Sequence, residues 1–148
     1  MPSTYLSLHY HLIFSTKNRQ PAIDAAWRSR LHDYLGGTIR GLGGFPEGVG
    51  GVADHVHLLV GLKAAHCLAD VLRELKKAAS AWVHQEIGLS SFAWQEGYAA
   101  FTISATARAA VQNYIAHQEE HHRAKSFRDE LIELLDKAQI EYDPRYLD

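Results

Sequence analysis

The chain has 148 residues, 47% of them hydrophobic and 22% charged, with 4 Pro, one cysteine and a net charge of -2. Such a composition excludes a disordered or collagen-like chain, and the single Cys67 excludes an internal disulfide framework. With no apolar run near the roughly 18 residues of a membrane span and no charged leader, one soluble, cytoplasmic domain covering residues 1–148 is expected, large enough for an ordinary core.

Residues 4 to 15 alternate: Leu6, Leu8, Tyr10, Leu12 and Phe14 point one way, and Tyr5, Ser7, His9 and His11 the other. Period two over that length reads as a half-buried strand, with His9 and His11 on its solvent side. The run from Lys17 to Pro21 ends it, and residues 24 to 40 read as a helix through Ala26, Trp27, Leu31, Tyr34, Leu35 and Ile39. Eight of the 11 glycines then lie between Gly36 and Gly51. That stretch carries neither a GxxxxGK[ST] nor a strand-to-helix GxGxxG, so turns leading to a short strand are expected rather than a phosphate loop.

Residues 56 to 62 are an apolar run with the look of a buried central strand. Residues 68 to 87 form the strongest helical pattern, through Leu68, Val71, Leu72, Leu75, Ala79, Trp82 and Val83. Arg73, Lys76, Lys77 and Ser80 repeat the spacing on another face, a basic stripe that reads equally as solvated surface or as a phosphate track. A strand over 98 to 104, a helix over 106 to 124 capped by Ser104 or Thr106, and an amphipathic helix over 127 to 138 complete an α+β chain with helices on an antiparallel sheet.

The charge is uneven. Residues 1–118 carry 10 Lys+Arg against 8 Asp+Glu, and residues 119–148 carry 5 against 9, so an acidic tail masks a weakly basic body. Ten histidines are the unusual count. In Asp54-His55-Val56-His57 the two imidazoles share one strand face, about 6.6–6.8 Å apart along the chain, close enough to share a divalent cation or to be two satisfied sheet histidines. His9 and His11 have the same spacing, but only the later pair leads into a buried run. On the next helix, Tyr114 and Gln118 are i, i+4 neighbours, with His121 a turn further on that face. A tyrosine there packs into a core or, beside a metal, serves as a phosphoryl-transfer nucleophile.

The stretches LHYHLIFSTKNRQP, DHVHLLV, LRELKKAASAW, FAWQEGYAAFTIS, YIAHQEEHHRAKSF and IEYDPRYL together resemble the IS200/IS605 transposases, single-tyrosine (Y1) members of the HUH endonuclease superfamily. HxH, then WQxGY, then YIxxQxxHH within one domain carries the specificity of the match. The resemblance implies a ferredoxin-like (RRM-like) antiparallel sheet with the HUH pair on a central strand. It also implies a homodimer whose tyrosine helix completes its own site or its partner's. It assigns Tyr114 as nucleophile, His55, His57 and Gln118 as ligands of Mg2+ or Mn2+, and single-stranded DNA hairpins as substrate, cleaved through a 5′-phosphotyrosine link and rejoined. His121 or His122 stands near enough in sequence to assist or replace Gln118. With the resemblance in hand, Lys17, Arg19, Arg73, Lys76 and Lys77 become candidate DNA contacts, while Trp94 and Tyr98 read as packing. A host-adopted palindrome-processing relative and a replication-initiator or relaxase-type nuclease are the neighbouring enzyme readings. A non-catalytic RRM-like module is the rival of another class; its strands would stack bases on aromatics, where this one offers His-Val-His.

Overall fold

The structure, a computed structural model, describes residues 3–147. Its sheet-forming part runs β1 (His9–Ser15), α1 (Ala25–Gly41), β2 (Phe45–Gly51), β3 (His55–Gly61), α2 (Leu68–Trp82) and β4 (Ala99–Ile103). The strands form one sheet in the order β2-β3-β1-β4, every neighbouring pair antiparallel. This βαββαβ succession with that order is the ferredoxin-like sheet the sequence implied, and β3 with its two histidines is one of the central strands.

Alternation along β1 and β3 gives the sheet two different faces. Leu12, Phe14, Val56, Leu58 and Val60 point toward α1 and α2, where Leu31, Leu35, Ile39, Val71, Leu72 and Leu75 close a continuous apolar core. Asp24 caps α1 by accepting from the Ala26 amide, and α2 continues as a wider turn through Ile87 that ends at Gly88, φ 80. The opposite face carries His11, Ile13, His55, His57 and Leu59, all buried. Three C-terminal helices cover it: α3 (Arg108–Ala116), α4 (Gln118–His121) and α5 (Phe127–Lys137).

Four expectations change. The first strand begins at His9 rather than residue 4, because its neighbours run out there: Gly61 and Ile103 both pair with His9, and Tyr5 and Leu6 are exposed. His11 faces the covered side of the sheet, only 3% exposed, not solvent. The glycine stretch supplies an edge strand as well as turns. Gly50 in β2 lies so close under α3 that a Cβ there would stand 2.3 Å from the Ile115 carbonyl oxygen. Finally, the helix expected over 106 to 124 is broken at His117 (φ -110, ψ 28). The imidazole Nδ1 of His117 takes the Asn113 carbonyl oxygen at 2.7 Å, the acceptor that its backbone amide would use in a continuous helix.

Candidate metal and tyrosine site

The covered face gathers polar side chains that could not be buried singly without large cost. His55 and His57 are fully buried, and Gln118 and Glu130 are each 1% exposed. Three imidazoles turn Nε2 toward one centre. His55 Nδ1 donates to Asp54 Oδ1 at 2.7 Å, and His122 Nδ1 donates to the Lys125 carbonyl at 2.7 Å. His57 Nδ1 lies 2.7 Å from His11 Nε2. Their Nε2 atoms meet Glu130 Oε1 at 3.3, 3.2 and 3.0 Å for His55, His122 and His57 respectively. Gln118 Oε1 borders the same space, 3.3 Å from His55 Nε2 and 3.0 Å from His122 Nε2.

The second oxygen of Glu130 faces the tyrosine. Tyr114 donates its hydroxyl proton to Glu130 Oε2 in a short hydrogen bond, and His121 Nε2 stands 3.3 Å from the same hydroxyl. One carboxylate thus joins the imidazole cluster to Tyr114. Its electrostatics follow from the neighbours. Burial alone would push Glu130 up, but hydrogen bonds from His122, His55 and His57 outweigh it and hold the carboxyl well below the usual range. Burial, then the hydrogen bond and charge of Glu130, push Tyr114 far above an ordinary phenol. His57 is lowered to about 4 by burial, against the pull of Glu130. His11 is lowered to about 3 by burial and then by His57, so it is neutral at neutral pH. For His55, burial is overcome by Asp54 and Glu130, and the value rises.

Ligand atoms of His55, His57, His122 and Glu130 all lie within 4.8 Å of one another. Three neutral-capable nitrogens with an ionised carboxylate and an amide oxygen beside them make a donor set that fits a divalent cation. The structure therefore brings together Tyr114, His55, His57 and Gln118 of the sequence-selected residues, with His121 and His122 at hand. Sequence reasoning passed over Glu130 and His11. Glu130 did leave a signal, since it falls on the apolar stripe of α5 with Phe127, Leu131 and Leu134, where a carboxylate needs a partner. His11 left none, because its face depended on what covers the sheet.

The basic candidates separate. Arg19 borders a groove with Arg28, Arg123 and Lys125 whose wall includes Asp54 and His122, at the mouth of the cluster. Lys17 is exposed on the preceding turn. Arg73, Lys76 and Lys77 lie on α2, across the sheet from the histidines. Arg73 pairs with Asp70 at 2.9 Å, and Lys76 Nζ donates to the carbonyls of Gln95 and Gly97 at 2.7 and 2.8 Å, tying down the loop before β4. Trp94 is buried edge-on against Phe14 and Phe92, with ring centroids 4.8 and 4.9 Å away. Tyr98 is 43% exposed, and His9 pairs with Glu47 at 3.0 Å, away from the cluster.

Comparison with known proteins adds three findings. A family model described as IS200-like transposase matches residues 4–118. Two solved structures are similar. One is a Deinococcus radiodurans R1 protein assigned as a transposase, 26% identical, TM-score 0.63, covering 80% of this chain and 96% of that one. The other, a REP-associated tyrosine transposase bound to a REP hairpin, is 16% identical with a TM-score of 0.59, covers 82% of this chain and 74% of that one, and is a likeness of fold. No curated protein matched the chain. Among the described residues no helix is long and apolar enough to cross a membrane.

Proposed function

The chain belongs to the IS200-like transposases, and from that premise we propose that it cleaves and rejoins single-stranded DNA beside a hairpin, with Tyr114 as the nucleophile. The observation that carries the proposal is the Glu130 carboxylate, which touches the converging imidazoles through one oxygen and the Tyr114 hydroxyl through the other.

His55 and His57 would hold a divalent ion, Mg2+ or Mn2+, through Nε2, with Gln118 Oε1 as a neutral oxygen donor and His122 and Glu130 as further donors beside them. When bound, the ion polarises the scissile phosphate and stabilises negative charge on the leaving oxygen. The protein supplies the rest. Tyr114 is a poor nucleophile while protonated, and Glu130 Oε2 accepts a hydrogen bond from its hydroxyl, which places that carboxylate to take the proton as the attack proceeds. The phenolate oxygen attacks phosphorus, the bond to the 3′ oxygen breaks, and that oxygen leaves as a 3′-OH after taking up a proton. The 5′ end stays on Tyr114 as a phosphodiester, whose energy is retained for the reverse attack by a 3′-OH, so rejoining needs no external energy source.

The groove lined by Arg19, Arg28, Arg123 and Lys125 is the path for the strand entering the site, with Lys17 beside it. Since the net charge is -2, this local patch must supply the phosphate attraction. Hairpin recognition draws support from the fold neighbour, which was solved with a hairpin bound. Tyr114 reaches the histidines of its own chain, which supports action in cis; the homodimer that the family resemblance implies is tested by light scattering. The central test is a denaturing gel of the protein with hairpin-flanked single-stranded DNA and Mn2+. A covalent adduct is expected that disappears in Tyr114→Phe and in His57→Ala. An adduct that survives Tyr114→Phe refutes the assignment.

A further inference from the structure

Nothing in the strand pattern gave His11 a role, yet it is buried beside His57, with ring centroids 5.0 Å apart. It lies opposite Leu59 in the ladder, so His57 is its diagonal neighbour on the same sheet face. A histidine binds a metal through a nitrogen that carries no proton, and its other nitrogen must then carry one and have an acceptor. For His55 that acceptor is the Asp54 carboxylate, and for His122 it is the Lys125 carbonyl. Both groups only accept, so Nδ1 carries a proton in those two rings, whether or not Nε2 carries one too. His57 differs: its Nδ1 faces an imidazole nitrogen, which can accept or donate.

We infer that His11 is a positioning residue that sets the tautomer of His57, supplying a partner that suits both the metal-free and the metal-bound site. In the metal-free arrangement His57 Nε2 faces the Glu130 carboxylate at 3.0 Å and donates to it. His57 Nδ1 is then an acceptor, and His11 Nε2–H donates. With a metal on His57 Nε2 the hydrogen bond reverses. His57 loses its Nε2 proton to water and gains one on Nδ1 from His11 Nε2, while His11 takes a proton on Nδ1 from water. No net proton is consumed by the exchange, and the ring stays where it was. A carbonyl at this position would favour only the metal-bound form, and an apolar side chain would support neither.

The inference rests on the metal reading proposed above, and the experiment separates the two. Mn2+ alone is titrated into the full chain, with free ion followed by its electron paramagnetic resonance signal, for the wild type, His57→Ala, His11→Phe and His11→Gln. Metal-free melting curves establish that each variant is folded. His57→Ala is expected to abolish binding at the site. His11→Phe keeps a ring but removes the partner, and is expected to weaken binding by ~10–100-fold, the usual loss when a ligating histidine's partner is removed. His11→Gln, whose amide can turn to donate or accept, is expected to restore most of that loss. Unchanged affinity in His57→Ala overturns the metal reading itself. Lost affinity in His57→Ala with unchanged affinity in folded His11→Phe overturns the role of His11 alone. Should His11→Phe fail to fold, ring-nitrogen NMR of the wild type decides, using Zn2+ as a diamagnetic probe. A His57 proton that moves from Nε2 to Nδ1 when Zn2+ is added supports the inference, and a ring already protonated at Nδ1 without metal, or still protonated at Nε2 with it, overturns it.

Discussion

Replacing Gly50 with alanine places a methyl group directly beneath the helix that carries Tyr114. Gly50 pairs with His57 across the β2–β3 ladder, so the change falls between the sheet histidines and the tyrosine helix. The new Cβ would stand 2.3 Å from the Ile115 carbonyl oxygen and 2.9 Å from Ile115 Cγ2. Ordinary contact begins at 3.4 Å, so the backbone oxygen must retreat by about 1.1 Å, the difference between 3.4 and 2.3 Å. A side chain could rotate away, but a helix carbonyl moves only with its helix. Overpacking of that kind costs about 1–3 kcal/mol, which in a domain of this size lowers Tm by roughly 2–12 °C. Because Tyr114 is the residue before Ile115, its hydroxyl moves as well, and a displacement near 1 Å costs ~100-fold in rate. Melting curves and single-turnover adduct formation at saturating Mn2+ measure both effects. Gly37→Ala is the control: nothing lies within 4 Å of its added Cβ, and a glycine in mid-helix α1 should yield ~0.5–1 kcal/mol of added stability with the rate unchanged. Wild-type melting and wild-type adduct rate in Gly50→Ala would refute the close-approach reasoning.

Glu130→Gln keeps the shape of the buried carboxyl group but removes the proton acceptor of Tyr114. Adduct formation at saturating Mn2+ should slow by ~100–10,000-fold, and a rate within a factor of three of wild type would exclude Glu130 as the base. His32 in α1 is lowered from 6.5 to about 4 by burial, then by the charge of Arg28, with Asp33 and Glu119 opposing, and its Nε2 has no partner among the described residues. The unfolded chain takes up this proton as pH falls through 6.5 while the folded chain does not, so stability is lost between pH 6.5 and about 4. Chemical denaturation at pH 7.5 and 5 should show a pH penalty about 2 kcal/mol smaller in His32→Leu than in the wild type; equal penalties would contradict the shift. Arg123→Glu should weaken hairpin binding in a salt-dependent way with Tm unchanged, whereas Lys76→Ala should lower Tm through loss of two loop hydrogen bonds. Filter binding and melting curves read the two outcomes, and a Lys76→Ala protein with unaltered Tm would return that lysine to the list of free cations.

Local pattern was enough for much of this protein. Alternation along β1 and the 3.6-residue stripes of α1, α2 and α5 follow from side-chain chemistry and chain geometry, which act between near neighbours, so the α+β class and the core of Leu12, Phe14, Leu31, Leu58 and Leu75 were legible in advance. The pairing of His55 with His57 and of Tyr114 with Gln118 was legible for the same reason, since two- and four-residue spacings fix a shared face. The tertiary structure decided the rest. Whether His11 met water or the buried His57 depended on α3, α4 and α5 covering the second sheet face. Lys76 looked like part of a free basic stripe until the 95–97 loop folded onto it. Glu130 lies 73 residues from His57 in sequence, and its role exists only because α5 returns to the sheet. Burial and cross-chain hydrogen bonds are long-range, so no window of the sequence contains them.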